Sequence, residues 1–314
     1  MFCRVDKASC ATSTVRLSGC AICAYPPNTG FCMTAHIQEI LGNDSKQLEA
    51  SLNLDSTAAR IEVQCLLQVV LQVNRAFLLT HPEHSLAADQ NAHYRALFER
   101  RLSGEPIAYI LGEREFYGLN FKVSPATLIP RPETELLVEL ALQKIPQQGE
   151  FRVLDLGTGS GAIALSIAHA RPGAEVVALD VSQEALEVAA ENARHLNIGN
   201  VRLLHSDWYS ALHGEYFDMI VSNPPYIAMN DAHLSQGDLR FEPRTALTSG
   251  ADGLESIRLI ISQSRAHLHN GSRLLLEHGY DQAEQVRAQL QQAGFAAVFS
   301  ARDLAGIERV SGGG

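Results

Sequence analysis

The chain has 314 residues, a length that favours about two domains. Hydrophobic residues make up 46% and charged residues 19% of the sequence, an ordinary balance for a globular protein. No apolar run approaches the ~20 residues that a membrane-spanning helix needs, so we expect a cytoplasmic protein without membrane contact. The formal net charge of −10 disfavours a partner bound mainly through phosphates and favours a protein or small-molecule substrate.

Residues 1–35 carry most of the cysteines, namely Cys3, Cys10, Cys20, Cys23 and Cys32. Cys20 and Cys23 have the spacing of a zinc-ligand pair, but a tetrahedral site needs two more ligands and the neighbouring spacings are irregular. Polar, proline and glycine residues interrupt the apolar stretches, unlike in a secretory signal. We expect a disordered leader and no metal site.

Residues 36–112 are predicted to form a small helical domain. One helix follows the capping candidate Asp55 and carries an apolar stripe at every fourth position, which comprises Ile61, Cys65, Val69, Val73 and Phe77. Residues 42–44 and 81–83 are expected to break helices. Weak alternation with a turn at residues 118–120 predicts a β-hairpin linker over residues 113–130.

Residues 131–314 are predicted to form an α/β domain, because strands and helices alternate from residue 151 onward. The predicted strands are residues 152–156, 175–179, 201–204, 218–222 and 273–277, followed by two short apolar runs at 296–300 and 307–310. This alternation implies a parallel sheet covered by helices on both faces. Such sheets bind ligands at the carboxyl ends of their strands, where the strand order reverses.

A glycine-rich loop, Gly157-Thr158-Gly159-Ser160-Gly161, ends the first of these strands. Its glycines allow a tight turn and the close approach of a ligand to the main chain. Ala162 stands where the dinucleotide fingerprint has its last glycine, a place that alanine can also fill. The spacing alone therefore does not separate a nicotinamide cofactor from S-adenosylmethionine.

Acidic and aromatic residues follow the next two strands. Asp180 ends the second strand, where a carboxylate can accept hydrogen bonds from both ribose hydroxyls; capping of the next helix is its alternative role. After the third strand, Trp208 is expected to stack on adenine and Asp207 to accept from the adenine amino group. Burial of Trp208 as a packing residue is the alternative.

Asn223-Pro224-Pro225-Tyr226 follows the fourth strand. The two prolines fix φ and remove two backbone donors, which leaves a rigid turn with two acceptors, the Asn223 side-chain oxygen and the Pro224 carbonyl. Two fixed acceptors suit a planar NH2 group whose delocalised lone pair is a poor nucleophile, because they hold both N–H bonds and aim the lone pair at a methyl donor. Tyr226 is expected to pack against the planar group or the donor. A simple turn is the alternative.

Five segments together resemble the bacterial protein-(glutamine-N5) methyltransferases of the PrmC/HemK type, and they are residues 104–109, 128–135, 157–161, 222–227 and 241–247. The resemblance covers residues 36–310. Its most specific part reads Ile-Pro-Arg-Pro-Glu-Thr-Glu over residues 129–135. The tetrapeptide by itself also occurs in DNA adenine-N6 methyltransferases, so the combination of segments carries the resemblance.

The resemblance implies a Rossmann-like, seven-stranded class I S-adenosylmethionine methyltransferase domain, with S-adenosyl-L-homocysteine as the product. It implies that residues 157–161, Asp180, Trp208 and Asn223 contact the cofactor. The implied substrate is the Gly-Gly-Gln glutamine of peptide chain release factors, held by Asn223, Pro224, Pro225 and Tyr226. The helical domain would help to dock the release factor, and a monomeric enzyme is expected. Residues 130–135 and 242–244 would flank the substrate channel or pack at the domain interface.

Two features depart from the family pattern. Residues 1–35 have no counterpart in it, and the chain end at Gly314 is expected to shorten the last strand.

Three other functions stay open. A DNA or RNA amino-methyltransferase would share the Asn-Pro-Pro-Tyr chemistry, but it predicts a basic face and a target-recognition segment; no direct nucleic acid binding is expected here. A nicotinamide oxidoreductase gives the tetrapeptide no role. A non-catalytic cofactor-binding module predicts tight S-adenosylmethionine binding without methyl transfer to any peptide, so that Asn223→Ala would be silent.

Overall fold

The computed structural model describes residues 36–314. The predicted leader and its Cys20–Cys23 pair lie outside the described residues. Within the described range, a helical bundle is followed by a two-stranded hairpin and then by a seven-stranded sheet with helices on both faces. No helix of this range is long and apolar enough to cross a membrane.

Five helices form the bundle: α1 (Ile37–Leu52), α2 (Ser56–Leu71), α3 (Arg75–Thr80), α4 (Ala88–Leu102) and α5 (Ile107–Leu111). Their inward-facing aliphatic and aromatic side chains make one core, which includes Ile37, Leu48, Leu66 and Phe98. Asp55 caps α2 as predicted, since its Oδ1 accepts from the N–H groups of Thr57 and Ala58 at 2.9 Å each.

The predicted helix break at residues 42–44 is wrong, because α1 runs through it without interruption. Asp44 is buried and accepts hydrogen bonds from the Tyr94 hydroxyl at 2.8 Å and from Arg95 Nη1 at 2.9 Å, both on α4. These tertiary contacts satisfy the aspartate and outweigh the local preference of Gly-Asn-Asp for a turn.

The prediction that the apolar stripe on α2 faces the core is also wrong. Ile61 is 44% and Val69 36% exposed, whereas the buried side chains of α2 include Val63, Leu66 and Leu67. A helix repeats every 3.6 residues, so a row at strict intervals of four drifts around its surface. The helix also ends at Leu71, where Gln72 takes a left-handed φ of 54°, so the row does not continue to Phe77 on one helix.

Strands β1 (Glu113–Phe116) and β2 (Leu119–Lys122) form the predicted hairpin in antiparallel register. The turn lies at Tyr117-Gly118, one residue earlier than predicted, so Leu119 begins the second strand. The inward-facing rings of Phe116 and Phe121 belong to the same core cluster as one face of the large sheet. The hairpin is therefore attached to the sheet through its apolar face.

The α/β domain contains, in chain order, α6 (Glu135–Leu142), β3 (Phe151–Leu156), α7 (Ala162–Ala170), β4 (Ala174–Asp180), α8 (Gln183–His195), β5 (Val201–His205), β6 (Phe217–Ser222), α9 (Arg244–Leu247), α10 (Glu255–Ser264), β7 (Leu268–Glu277), α11 (Ala283–Gln292), β8 (Phe299–Arg302) and β9 (Glu308–Gly313). The strand order is β5-β4-β3-β6-β7-β9-β8. Strands β3 to β7 are parallel, and the order reverses between β3 and β6. The predicted α/β fold is confirmed.

The last two strands depart from the parallel arrangement that the alternation of strands and helices predicts for the sheet. Strand β9 runs antiparallel to both of its neighbours, β7 and β8. A short connection through Asp303 and Ile307 joins β8 to β9, and so short a link permits only an antiparallel pair. Strand β9 lies inside the sheet and pairs with β7 on one side and β8 on the other. The shortening expected at Gly314 therefore does not leave β9 unpaired.

Stability measurements on two variants distinguish the buried and exposed faces of α2. We expect Leu66→Ala to lower the free energy of unfolding by about 2–5 kcal/mol, because Leu66 is fully buried and the substitution leaves a cavity. The matched control Ile61→Ala should cost less than about 1 kcal/mol. Urea titrations followed by circular dichroism measure both. Equal losses would contradict the assigned core face.

Candidate active site

A cavity of about 430 Å³ opens at the carboxyl ends of β3 to β6, beside the reversal of strand order. Seven of the predicted site residues line it: Gly157, Gly159, Asp180, Asp207, Trp208, Asn223 and Pro225. The structure therefore brings the glycine loop, the acidic and aromatic residues and the start of the tetrapeptide to one place.

The glycine loop folds back onto the end of β4. The N–H groups of Gly157 and Thr158 donate to the Leu179 carbonyl at 2.9 and 2.8 Å. Gly157 and Gly159 have positive φ of 74° and 57°, and a Cβ on either would meet no atom within 4 Å. Both residues line the cavity, so a side chain at either position would take up space that the glycines keep open for a ligand.

Thr158, Ser160 and Gly161 shape the loop and do not line the cavity. The Thr158 hydroxyl donates to Asp155 Oδ2 at 2.7 Å, and the Ser160 carbonyl accepts from Asn192 Nδ2 at 2.9 Å. Gly161 has a φ of 84°, and a Cβ there would lie 2.9 Å from Leu165 Cδ1. Gly161 is thus the position in this loop where close packing of the next helix requires glycine.

Asp180 braces the loop from β4. Its Oδ2 accepts from the Gly159 N–H at 2.8 Å and its Oδ1 from the Ser182 N–H at 2.9 Å. The cap of α8 is Ser182, whose Oγ accepts from the Ala185 N–H at 3.1 Å. The helix-capping role weighed for Asp180 therefore belongs to Ser182, and Asp180 keeps a carboxylate on the cavity wall.

Trp208 reaches the cavity from a backbone conformation that is rare for a bulky residue, with a φ of 46°. The Ser206 hydroxyl donates to the Trp208 carbonyl at 2.7 Å and accepts from the Ala211 N–H at 3.1 Å. These bonds hold the strained residue in place. Strain of this kind is found most often where a side chain is fixed for binding. Asp207 is exposed beside it on the cavity wall.

The Asn223 amide is oriented by a neighbour outside the tetrapeptide. Its Nδ2 donates to Thr134 Oγ1 at 3.2 Å. Within residues 36–314, neither Asn223 Oδ1 nor the Pro224 carbonyl accepts a hydrogen bond. Asn223 lines the cavity, whereas Pro224 is buried and does not line it.

Tyr226 lies away from the cavity wall, although we expected its ring to contact the substrate group or the donor. The ring packs against one of the two core clusters of the sheet, and the hydroxyl donates to Glu277 Oε1 at 3.4 Å. The Tyr226 carbonyl accepts from Gln282 Nε2 at 3.0 Å. Burial and the nearby Glu277 raise the pKa of the Tyr226 hydroxyl, which therefore stays protonated. The contacts favour a role in fixing the turn.

Two carboxyl groups are fully buried near the ends of the central strands. Burial raises the pKa of Asp155 to about 7, against a hydrogen bond from Thr158 that lowers it. Burial also raises the pKa of Glu277 to about 7, against the neighbouring Thr134 hydroxyl and Arg309, which lower it. Desolvation is the dominant cause in both cases, because it disfavours the charged form.

The segment around residue 130 is tied to the segment around residue 242. Arg131 Nη2 pairs with Glu242 Oε1, and the Ile129 N–H donates to Glu242 Oε2 at 3.3 Å. The Glu242 side chain is fully buried. Of the residues expected to flank the substrate channel, 130–135 and 242–244, only Pro243 lines the cavity. Neighbouring residues of the two segments line it instead, and these are Ala126, Thr127, Leu128, Thr245 and Ala246. Sequence reasoning did not identify the ion pair that joins the segments.

Within the described range, no group of three or more His, Cys, Asp or Glu side chains is placed to hold a metal ion. The cysteine pair considered for zinc lies outside that range.

Comparisons with known proteins show the family. Residues 45–112 match the PrmC N-terminal domain, and residues 133–241 match the methyltransferase small domain. A release factor glutamine methyltransferase of Xylella fastidiosa (strain Temecula1) is 51% identical over 254 residues, which cover 81% of this chain and 92% of the relative. The Escherichia coli (strain K12) protein of the same name is 50% identical over 256 residues, covering 82% and 92%. The chain belongs to the release factor glutamine methyltransferase family, as the sequence motifs predict.

A solved structure supports the fold separately. The catalytic domain of hMettl16, in complex with the MAT2A 3′UTR hairpin 6, superposes with a TM-score of 0.51 at 17% identity, covering 66% of this chain and 80% of that one. The class I S-adenosylmethionine methyltransferase fold is confirmed, and methyltransferase membership implies S-adenosylmethionine as the methyl donor.

Two glycine substitutions test the packing role of Gly161. Alanine at either Gly161 or Gly112 must adopt a left-handed φ, at a cost of about 1–2 kcal/mol. Only at Gly161 does the new Cβ also clash, whereas at Gly112 it meets nothing within 4 Å. We expect Gly161→Ala to destabilise the protein by about 1–3 kcal/mol more than Gly112→Ala in chemical unfolding. Equal destabilisation would remove the packing argument.

Proposed function

We propose that this protein transfers the methyl group of S-adenosylmethionine to the side-chain N5 of the glutamine in the Gly-Gly-Gln motif of peptide chain release factors. One structural observation carries the proposal: Asn223, whose Oδ1 accepts no hydrogen bond within the described residues, lines a cavity of cofactor size, and Pro224 follows it in the turn. Membership of a family whose curated relatives are named release factor glutamine methyltransferases supports the choice of substrate.

The residues on the cavity wall fit S-adenosylmethionine. Its ribose offers two hydroxyl donors, for which the Asp180 carboxylate is a suitable acceptor. Its adenine offers a flat ring and an amino group, which suit Trp208 and Asp207. Gly157 and Gly159 leave the main chain accessible. When bound, the cofactor supplies a methyl group on an electron-poor sulfonium and leaves as S-adenosyl-L-homocysteine.

The tetrapeptide prepares the amide nitrogen for attack. Asn223 Oδ1 and the Pro224 carbonyl accept one N–H each, which fixes the plane of the substrate amide and the direction of its lone pair. Their dipoles also lie where positive charge develops on nitrogen during transfer. No strong base is needed, because the nitrogen proton becomes acidic only after the methyl group is attached. The fixed φ of Pro225 and the packing of Tyr226 against the core of the sheet stiffen the turn.

The remaining parts of the chain have proposed roles in the same reaction. Residues 36–112 would help to dock the release factor, residues 113–130 would link the two domains, and residues 131–314 would hold the cofactor and the glutamine. Residues 1–35 stay a predicted leader. Release factors act on ribosomes, so the enzyme would work in the cytoplasm. We expect it to be a monomer. The net charge of −10 suits a protein substrate better than a nucleic acid.

Loss of the Asn223 acceptor tests the mechanism directly. We expect Asn223→Ala to reduce methyl transfer to a release factor by two or more orders of magnitude, the scale typical of an oriented electrostatic contact, while S-adenosylmethionine binding stays mostly intact. Mass spectrometry of the Gly-Gly-Gln peptide measures one added methyl, and calorimetry measures cofactor affinity.

Asn43→Ala is the matched control, because Asn43 is exposed on α1. Equal activity of Asn223→Ala and wild type would defeat the mechanism. Methylation of DNA or RNA by the wild type, without methylation of the release factor, would instead favour a nucleic acid amino-methyltransferase.

Asp180 provides a separate test of cofactor binding. Asp180→Asn loses the negative charge and one of the two acceptor oxygens that the carboxylate offers. We expect the Kd for S-adenosylmethionine to rise at least tenfold, since a hydrogen bond to a charged group contributes about 1.5–3 kcal/mol. Asp252→Asn, at an exposed ion pair with Arg258, is the control. Unchanged affinity in calorimetry would argue against the ribose role.

A further inference from the structure

Tyr109 joins the helical domain to the wall of the cavity. It lies on α5, in the segment 104–109, which carries part of the family resemblance but has no role in the mechanism so far. Its side chain is buried, and its hydroxyl donates to the Thr127 carbonyl at 2.7 Å. Thr127 in turn lines the cavity. A direct hydrogen bond therefore connects the helical bundle to the site.

Two parts of the cavity wall are not supplied by the strand ends of the sheet. Residues 126–128 follow β2, and we call them the linker wall. Pro243, Thr245 and Ala246 lie at the start of α9, and we call them the α9 wall. The other lining residues lie at the carboxyl ends of β3 to β6 or shortly after them. The sheet positions those residues, whereas the two walls need another support.

The ring of Tyr109 belongs to a small core cluster beside both walls. The cluster includes Val123 and Ile129, and Phe241 packs against it. Ile129 directly follows the linker wall, and Phe241 precedes the α9 wall. Burial and the nearby Glu242 raise the pKa of the Tyr109 hydroxyl, which therefore stays a proton donor.

A buried arginine connects the bundle to the segment ahead of the α9 wall. Arg101, in the last turn of α4, is 3% exposed and pairs with Glu62 on α2 at 2.7 Å. Its Nη1 also pairs with Asp238 Oδ1 at 3.4 Å. Asp238 lies in a 3₁₀ turn, Gly237–Phe241, that leads into Pro243 and α9. The ion pair therefore holds this turn against the helical domain.

Gly104 allows the same turn to approach the bundle closely. It has a φ of 97°, and a Cβ there would lie 1.8 Å from Arg240 Nη2. Arg240 Nε donates to the Gly237 carbonyl at 3.1 Å, so this side chain stays attached to its own turn. The first and the last residue of the segment 104–109 thus serve one junction between the bundle and the cavity walls.

We propose that Tyr109 is a positioning residue that anchors the linker wall to the helical domain, while Arg101 and Asp238 anchor the α9 wall. Together the two anchors shape the cavity for the glutamine of the release factor. This inference rests on the proposed methyl transfer to glutamine and names further residues that serve that site. None of the three lines the cavity, so each acts on the substrate through the walls.

Loss of an anchor should weaken substrate binding more than cofactor binding. Without the Tyr109 hydroxyl, the Thr127 carbonyl loses its donor. A buried carbonyl without a partner is unfavourable, so the linker wall shifts until the carbonyl meets water. The proposed cofactor contacts of Gly157, Asp180 and Trp208 depend on the sheet and not on the walls. The change therefore belongs in the KM for the release factor.

Kinetics of full-length variants on a release factor test the inference. We expect Tyr109→Phe to raise the KM for the release factor about fivefold or more, the scale of one neutral hydrogen bond. The kcat and the Kd for S-adenosylmethionine should change less than about threefold. Hydrogen–deuterium exchange should show faster exchange of the amides of residues 126–129 in this variant.

Tyr209→Phe is the matched control. The Tyr209 hydroxyl is also buried and donates to a backbone carbonyl, that of Ile260, at 3.1 Å. Its loss should cost similar stability in urea titrations, yet leave the KM and the exchange of residues 126–129 as in the wild type. A KM that rises equally in both variants would assign the effect to lost stability and overturn the inference.

A second variant keeps the test valid if Tyr109→Phe does not fold. Asp238→Ala removes the ion pair with Arg101 and should raise the KM about threefold or more. Asp252→Ala, at an exposed ion pair with Arg258, is its control with wild-type KM. A wild-type KM in folded Tyr109→Phe or in folded Asp238→Ala would overturn the inference. A wild type that leaves the Gly-Gly-Gln glutamine unmethylated would instead defeat the proposed function, and the positioning role with it.

Discussion

The parallel pairing of four central strands is the constraint on which the site depends. Leu156 pairs with Leu179 and with Ser222, and Ser222 pairs with Leu276. The residues that come next in each strand are Gly157, Asp180, Asn223 and Glu277, and they form one row along the edge of the sheet. A slip of one residue in any pair would turn that strand's side chains to the opposite face. The register therefore sets the site as well as the core.

The ends of the central strands and the loops that follow them combine groups that a stable core would avoid. The Asp155 and Glu277 carboxyls are fully buried, and desolvation raises the pKa of each. Trp208 adopts a left-handed backbone, and the glycine loop gives up side chains that would fill the cavity. The apolar core on both faces of the sheet supplies the stability that tolerates these features. A site assembled at strand ends can thus be rigid even though its own groups are individually unfavourable.

The sequence alone predicts those candidate site residues that can be recognised from their immediate neighbours in the chain. The glycine loop, Asp180, Trp208 and the tetrapeptide each follow a recognisable strand, so a strand pattern and a residue type are enough to identify them. Thr134 and Asn223 are 89 residues apart, so their contact follows from topology alone. The same reason explains the errors in the helical domain. Asp44 stays helical because of partners on α4, and the packed face of α2 is decided by its neighbours.

Under the proposed mechanism, the acceptor pair of the turn would select a chemical group, a planar NH2, and not one particular molecule. Two acceptors at fixed separation favour any planar NH2 group over a hydroxyl, which has one proton, and over an ester, which has none. Discrimination between a glutamine side chain and another planar NH2 must therefore come from surfaces further out. The segments joined by the Arg131–Glu242 ion pair form part of the cavity wall, and one of them continues to the helical domain through β2. The Arg131–Glu242 ion pair, in which the Glu242 side chain is fully buried, ties these walls to each other.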